Sequence, residues 1–221
     1  MARYLFSSKF GGLSTGDFAE LNLGNHVGDD EQTVEKNRVQ LQSYLALQSL
    51  VFMNQTHGTE VFIVEINAPS RIDADALVTS DRSIGLAVLT ADCIPLLIDA
   101  GNSIAAVHVG RKGLVNGIIP RVMEVLLSRG ATSMKALLGP SICGKCYEVS
   151  PEMYGAITGD FPSASTSPAT HCLDLPAAAT EQLRGYGVIT QNFHRCTLES
   201  NNYFSYRAKA ITGRMAGVIA I

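Results

Sequence analysis

Three side chains able to bind a metal or act as nucleophiles stand where apolar runs begin or end. Cys93 lies between two apolar runs, and His108 closes a third. His57 lies upstream, in the sequence Gln-Thr-His-Gly. Reactive polar side chains in apolar surroundings are costly unless they have partners, so these positions need a chemical explanation. The function of the chain depends on whether the three residues meet in space.

One cysteine and two histidines would suit a zinc ion. Catalytic zinc typically has three protein ligands and keeps one position open for water. The bound water has a lowered pKa and serves as a nucleophile or proton acceptor near neutral pH. Asp92, next to Cys93, could orient a histidine ligand or act as a base. The residues therefore permit a zinc site at His57, Cys93 and His108.

Other interpretations of the same residues stay open at this point. A lone cysteine in an apolar strand is usually a small core residue, and a lone buried histidine more often bonds the backbone than a metal. The spacings between the three residues match no local zinc-finger pattern. Cys93 and His108 could also form a nucleophile and base pair, as in thiol amidohydrolases.

A second pair of cysteines, Cys143 and Cys146, has the two-residue spacing of redox and zinc motifs. No second pair follows to complete four ligands. Gly139 and Pro140 predict a loop here. Loop cysteines without a role are therefore the default expectation.

The composition excludes several classes of function. The 221 residues carry 17 Lys and Arg against 20 Asp and Glu, without a basic cluster, so neither nucleic acid nor a membrane is an expected partner. No apolar run reaches about 18 residues, and the N-terminus lacks the features of a signal peptide. Five scattered cysteines predict a reduced, cytoplasmic protein. The oligomeric state cannot be inferred.

Apolar runs of four to eight residues bounded by Gly, Asn and Asp predict strands buried on both faces. Strands are predicted at Arg3–Ser8, Leu50–Met53, Val61–Ile66, Gly85–Thr90, Ile94–Ile98, from Ile104, and at Met134–Gly139, Val188–Asn192 and Met215–Ile221. Helices are predicted at Gln32–Gln48, Ile118–Ser128 and Leu175–Gly185, a turn at Gly110–Gly113, and a mobile surface loop at Pro162–Ala169. The interleaved elements favour one mixed α/β domain over residues 1–221.

Many short motifs, in order, resemble one family over nearly the whole chain. They are Gly11-Gly12-Leu13-Ser14, Leu21-Asn22-Leu23-Gly24, Val27-Gly28-Asp29-Asp30 with Asn37-Arg38, Gln55-Thr56-His57-Gly58, Asp73 to Thr79, Thr90-Ala91-Asp92-Cys93-Ile94-Pro95, His108-Val109-Gly110, Gly139-Pro140-Ser141-Ile142, Tyr147-Glu148-Val149, Cys196-Thr197, Phe204-Ser205-Tyr206-Arg207 and Thr212-Gly213-Arg214. On these motifs, the chain resembles the laccase-domain family, which is also called the YfiH or multicopper polyphenol oxidase family.

The resemblance implies an α/β domain of layered mixed sheets with flanking helices. It also implies a zinc ion held by His57, Cys93 and His108. Members are described as purine nucleoside enzymes that phosphorolyse adenosine, inosine and methylthioadenosine and deaminate adenosine. Nucleoside and phosphate are therefore the expected partners.

The resemblance also gives roles to other residues. In deamination, zinc would activate water for attack at C6 of adenine, with Asp92 a candidate proton carrier. In phosphorolysis, Arg38, Lys112 or Arg207 could bind phosphate. Asn22 and His26 could contact ribose. Each of these residues could instead have only a structural role.

The chain departs from the family where members usually have His-Ala-Gly-Trp-Arg-Gly. Here Arg111 stands in place of the Trp, and Lys112 stands in place of the following Arg. The guanidinium group that could bind an oxyanion through two hydrogen bonds is thus replaced by an ammonium group, which acts as a point charge. Members also tend to have two arginines after Ser-Tyr, whereas Arg207 is followed by Ala208. Phosphate affinity or substrate choice is expected to differ from that of a typical member.

Three other functions remain open on the sequence. A copper-dependent phenol oxidase needs several clustered His and Cys ligands, and five scattered histidines are too few for the usual four-copper set. An amidohydrolase acting on peptidoglycan precursors could use the same zinc water or Cys93. A binding protein with structural zinc would need a fourth protein ligand, and none is evident.

Overall fold

Two mixed β-sheets form the centre of the structure, a computed structural model that describes residues 2–221. The strands are β1 (Arg3–Phe6), β2 (Ser49–Phe52), β3 (Val61–Ile63), β4 (Ala76–Thr79), β5 (Ile84–Thr90), β6 (Ile94–Asp99), β7 (Ile104–Val109), β8 (Lys135–Leu138), β9 (Ile189–Asn192) and β10 (Met215–Ala220). The four-stranded sheet has the order β1-β10-β5-β2, and the six-stranded sheet has the order β3-β4-β7-β6-β8-β9.

Helices cover the outer faces of the two sheets. They are α1 (Glu31–Tyr44), α2 (Arg111–Asn116), α3 (Ile118–Ser128), α4 (Pro151–Asp160) and α5 (Leu175–Gly185), with short 3₁₀ turns at Gly16–Phe18 and Pro162–Ala164. Within residues 2–221, no helix has both the length and the apolar character needed to cross a bilayer.

The strand sequences are apolar on both faces because each sheet is covered on both sides. In β5, Leu86 and Val88 point into the core between the sheets, whereas Ala87 and Leu89 point outward to a layer that includes Leu41 of α1. The outer face of the six-stranded sheet packs against α2, α3 and α5. The prediction of a mixed α/β fold with strands buried on both faces is therefore confirmed.

Several predicted elements have different bounds in the structure. The first helix ends at Tyr44 rather than Gln48, because Ala46 takes a left-handed backbone with φ 50° that a helix cannot continue. The strand predicted at Val61–Ile66 ends at Ile63, ahead of a turn in which Asn67 has φ 72°.

The prediction of a turn at Gly110–Gly113 is wrong, because Arg111–Asn116 forms helix α2. Gly113 serves close packing instead: a Cβ there would lie 3.2 Å from the Gly58 carbonyl oxygen. Gly117, at φ 92°, ends the helix and lets the chain turn directly into α3.

Part of the predicted surface loop Pro162–Ala169 is anchored in the fold. Ala164 is fully buried in the core of the helical layer, and its carbonyl oxygen accepts a hydrogen bond from the Asp174 backbone N–H. Helix α4 just before it was not predicted from the sequence, since Gly155 and Gly159 interrupt its weak apolar pattern.

Candidate metal centre

His57, Cys93 and His108 meet in the structure. One ligand atom from each lies within 4.8 Å of those of the other two. His108 is buried, Cys93 is partly exposed and His57 is exposed, so the cluster is open to solvent on the His57 side. The three residues singled out from the sequence therefore form one site.

The β6–β7 hairpin brings Cys93 and His108 together. The strands are antiparallel, with Ile94 opposite Val109 and Pro95 opposite His108. Cys93 directly precedes β6 and so lies at the same end of the hairpin as His108. Along β7, His108 lies on the same face as Ala106, which packs between the two sheets.

Asp75 positions both histidines of the site. Its buried carboxylate lies 2.8 Å from Nδ1 of His108. The same carboxylate accepts hydrogen bonds from the backbone N–H groups of Thr56, His57 and Gly58, at 3.1, 3.0 and 2.7 Å. One side chain thus fixes both the ring of His108 and the loop that carries His57. In that loop the backbone of His57 is left-handed, with φ 59°.

Asp75 was not recognised as a site residue from the sequence. The available signal was an acidic residue immediately before the buried strand β4, where an unpaired carboxylate would be costly. Only the fold shows that this strand neighbours β7 and places the carboxylate against His108.

Gly110 leaves the space between the three ligands free. A Cβ atom at this position would lie 3.0 Å from Nδ1 of His57 and 3.1 Å from Sγ of Cys93. Two imidazoles and a thiol around a cleared space are the donor set that zinc and similar ions accept. The site therefore has the ligands and the room for one metal ion.

The electrostatics of the site separate the two histidines. Burial lowers the pKa of His57, and the charges of His108, Lys112 and Arg214 lower it further against the opposing charge of Asp75. For His108, burial alone would lower the pKa, but the charge of Cys93 and the hydrogen bond that His108 donates to Asp75 raise it to about 9. Hydrogen bonds hold the pKa of Asp75 far below its usual value despite burial.

Asp92 is held away from the histidines. Its carboxylate accepts hydrogen bonds from Thr197 Oγ1 at 2.6 Å and from the Arg207 backbone N–H at 2.7 Å. Its backbone has φ 92°, a conformation that L-residues rarely adopt. Asp75 rather than Asp92 therefore orients His108, while Asp92 stands beside Cys93 as a separate carboxylate.

Asn22, in a loop, and Arg38, on helix α1, lie outside the group of three ligands. Asn22 is fully buried, and its side chain bonds Gly24, Asp29 and the Arg214 backbone N–H. Arg38 donates to the Leu23 carbonyl oxygen, and its guanidinium lies 4.2 Å from the centre of the Phe52 ring. Arg38 also lines a pocket of about 320 Å³, together with His26, Asn54 and Arg71.

Lys112 and Arg207 have different surroundings. Lys112 is exposed on α2 and acts on the pKa of His57 through its charge. Arg207 is exposed as well; its guanidinium donates to the Glu148 carbonyl oxygen and lies 5.1 Å from the Tyr147 ring centre. Arg214, which sequence reasoning quoted only as part of a motif, also influences His57.

A second group of metal-binding side chains lies outside this site. Ligand atoms of Cys143, Cys146, Cys196 and Glu199 all lie within 4.8 Å of one another. Burial raises the pKa of the Cys143 and Cys146 thiols, which disfavours them as free nucleophiles. Cys143 and Cys146 lie in a loop, as the sequence predicts, and the fold places the Cys196 thiol and the Glu199 carboxylate beside them.

The two-sheet α/β fold and the histidine–cysteine–histidine cluster define a recognisable class of protein. The profile of the family described as multi-copper polyphenol oxidoreductase laccase matches residues 3–221. The chain belongs to this family.

Relatives and solved structures agree along the full chain. A purine nucleoside phosphorylase of Streptomyces griseus is 40% identical over 230 residues, covering 99% of this chain and 94% of that protein. A purine nucleoside phosphorylase of Mycobacterium tuberculosis is 40% identical over 227 residues, covering 98% and 91%. The crystal structure of Neisseria meningitidis NMB0706 matches with a TM-score of 0.87 at 33% identity, covering 100% of this chain and 94% of that one.

Proposed function

We propose that this protein is a zinc-dependent purine nucleoside phosphorylase that also deaminates adenosine, with the zinc held by His57, Cys93 and His108. The observation that carries the proposal is the convergence of these three residues around Gly110, in a chain 40% identical over its length to a named purine nucleoside phosphorylase. A bound zinc ion supplies Lewis-acid polarisation and lowers the pKa of water.

Phosphorolysis needs a phosphate anion placed at the ribose C1′ carbon. The C1′–N9 bond breaks with its electron pair going to the purine, a phosphate oxygen bonds to C1′, and the purine takes up a proton. Lys112 and Arg214 act electrostatically on the solvent-facing His57, so positive charge is present where phosphate would approach. We assign phosphate attraction to these two cations.

The pocket beside Arg38 is the proposed subsite for nucleoside or phosphate groups. The chain connects it to the metal centre, since Asn54, on its wall, precedes His57 by three residues. Burial and the charges of Arg214 and Arg38 lower the pKa of His26, so its neutral ring can accept or donate a hydrogen bond to a hydroxyl group. Asn22 supports this wall through its bonds to Gly24 and Arg214.

Asp92 is the proposed carrier of a proton between water and purine. Its backbone is fixed beside Cys93, and the two hydrogen bonds it accepts leave lone pairs on both oxygens. In deamination, water adds at C6 of adenine and ammonia leaves, so one carboxylate must take a proton and return it.

Copper-dependent phenol oxidation has weaker support from the ligand groups of residues 2–221. One group holds two histidines and a cysteine, and the other holds three cysteines and a carboxylate. A four-copper set would need many more clustered histidines. Hydrolysis of peptidoglycan precursors could use the same centre, and it becomes the leading alternative if nucleosides fail as substrates.

The test is turnover of adenosine and inosine by zinc-loaded protein, with and without phosphate, in the wild type, Cys93→Ala and Cys172→Ala. Cys172 is a buried cysteine outside the metal centre and serves as the matched control. With phosphate present, we expect ribose 1-phosphate together with adenine from adenosine and hypoxanthine from inosine. Without phosphate, we expect inosine from adenosine. Both activities should disappear in Cys93→Ala and persist in Cys172→Ala. No product from either nucleoside would overturn the proposal, and muramyl peptides would then be assayed.

A further inference from the structure

Three thiols and one carboxylate converge from two distant stretches of the chain. Cys143 and Cys146 follow β8, whereas Cys196 and Glu199 follow β9, the parallel neighbour of β8. Parallel pairing brings the ends of β8 and β9 to the same edge of the sheet, so the segments that follow them lie side by side. This placement explains why residues about 50 apart in sequence form one cluster.

Backbone hydrogen bonds hold the two segments in register. The Ser141 N–H donates to the Arg195 carbonyl oxygen and the Thr197 N–H donates to the Ser141 carbonyl oxygen, both at 3.1 Å. Ser141 and Cys196 thus form an isolated β-bridge through their backbones, and this bridge does not depend on the Cys196 thiol. The cluster is preorganised by the main chain, which lowers the cost of binding an ion.

The loop around Cys143 resembles the turns that present thiolates to a metal. The Cys146 and Tyr147 N–H groups both donate to the Cys143 carbonyl oxygen, at 3.0 and 3.1 Å, which turns the two cysteines of the pair toward the same side. The Cys143 N–H donates to Sγ of Cys196 at 3.4 Å, a hydrogen bond that would stabilise the sulfur as a metal ligand.

The fourth group completes a tetrahedral donor set. Sγ of Cys143 lies 3.9 Å from a carboxylate oxygen of Glu199. Tetrahedral zinc with Zn–S bonds of about 2.3 Å places its sulfur ligands about 3.8 Å apart, so a set within 4.8 Å needs only small side-chain movements to close on an ion.

We propose that Cys143, Cys146, Cys196 and Glu199 form a second metal centre that binds one zinc ion and clasps the segment after β8 to the segment after β9. The clasp has four protein ligands, as structural zinc sites do. All five cysteines are free thiols in the structure, so no disulfide competes for the ligands. The proposal does not depend on the activity assigned to the first centre.

The clasp lies directly behind the Asp92–Cys93 turn of the first centre. The Ile142 N–H donates to the Asp92 carbonyl oxygen at 2.9 Å, and Thr197 Oγ1 donates to its carboxylate. Ile142 is the neighbour of Cys143, and Thr197 is the neighbour of Cys196. Both clasped segments thus support the residue that precedes Cys93.

The experiment counts metal ions per chain in protein purified under reducing conditions and loaded with zinc. We compare the wild type, the double variant Cys143→Ser/Cys146→Ser, Cys93→Ala and the control Cys172→Ser. Cys172 lies outside the cluster, but its thiol donates to the carbonyl oxygen of Lys145, which lies between Cys143 and Cys146. We expect the double variant to lose one ion relative to the wild type, Cys172→Ser to lose none, and Cys93→Ala to retain the clasp ion.

Cobalt spectra of Cys93→Ala provide a readout that does not require the clasp variants to fold. Cobalt bound at the clasp should give charge-transfer absorption from three thiolates, and Glu199→Gln should leave those thiolate bands in place while weakening affinity. Equal metal content in the wild type and the double variant would overturn the proposal. So would a wild type that binds a single zinc ion and loses it entirely in Cys93→Ala.

Discussion

The two cysteine-containing clusters differ in the way that separates an open metal site from a closed one. The centre at His57, Cys93 and His108 has three ligands, with a glycine at its middle and an exposed histidine at its edge. The clasp has three thiols and a carboxylate from two segments that the backbone already holds together. Three ligands leave room for water and substrate, whereas four close the ion off.

The two clusters are also positioned by different means. In the first centre, one buried carboxylate, that of Asp75, orients a ligand ring and the loop of another ligand. In the clasp, main-chain hydrogen bonds around Ser141 do the same work. Side-chain substitutions should therefore disrupt the first centre much more easily than the clasp.

The largest effect is expected from Asp75→Asn. The carboxylate accepts five hydrogen bonds, from Thr56 N–H and Oγ1, the His57 and Gly58 N–H groups, and His108. In either orientation, the NH₂ group of the asparagine would face other hydrogen-bond donors. The substitution should lower the free energy of unfolding by about 3–5 kcal/mol. Metal affinity of the first centre should fall about 10- to 100-fold, measured by chelator competition.

The control is Asp160→Asn, an exposed carboxyl at the end of helix α4, which should leave both stability and metal affinity nearly unchanged. Hydrogen bonding depresses the pKa of Asp75, so its contribution to stability is present above its ordinary pKa of 3.8 and disappears as the pH falls through the lower folded value. Acid titrations should show this loss in the wild type and not in Asp75→Asn. A variant that kept wild-type metal affinity would refute the positioning role.

Gly110→Ala should have the next largest effect. Gly110 has φ −85°, which alanine adopts without strain, so the substitution tests the space between the ligands alone. The added methyl would lie 3.0 Å from His57 Nδ1 and 3.1 Å from Cys93 Sγ, and overpacking of this kind costs about 1–3 kcal/mol. Metal content of the first centre should fall while the clasp keeps its ion.

Gly155→Ala in helix α4 is the control for that experiment, because nothing lies within 4 Å of the added Cβ. Alanine there should stabilise the helix slightly. If Gly110→Ala bound metal as tightly as Gly155→Ala, the metal ion would not occupy the space beside Gly110 between His57, Cys93 and His108.

Sequence reasoning found the first centre more completely than the clasp for a physical reason. His57, Cys93 and His108 stood out because each is a reactive side chain in or beside an apolar strand. Cys196 and Glu199 lie in a polar stretch, and only the parallel pairing of β8 with β9 brings them to Cys143. Such pairing depends on strand order, which short-range patterns do not encode.

Helical and strand patterns were similarly informative only where local forces dominate. The helix Ile118–Ser128 was predicted with its exact ends because Gly117 and Gly130 flank a strongly amphipathic run. Helix α2 was mistaken for a turn because its glycine packs against Gly58, a tertiary contact. Asp75 was missed for the same reason, since its partners come from a loop and from β7.

The smallest predicted effect concerns the link between the two clusters. Thr197 is buried, and its hydroxyl donates a 2.6 Å hydrogen bond to Asp92, so Thr197→Val removes that bond while keeping the shape of the side chain. The free energy of unfolding should fall by about 1 kcal/mol only, because Asp92 still accepts the hydrogen bond from the Arg207 N–H. Nucleoside turnover should fall severalfold while both metal contents stay at wild-type values.

The control is Thr158→Val, which removes a hydroxyl hydrogen bond to the Tyr154 carbonyl oxygen inside helix α4, away from both clusters. Slower turnover in Thr197→Val alone would mean that the clasped segment aligns Asp92 through a single hydroxyl. Loss of the clasp ion in Thr197→Val would mean instead that the clasp needs support from the Asp92 turn. Since the Ser141 backbone bonds do not involve that hydroxyl, the first result is the one that the geometry favours.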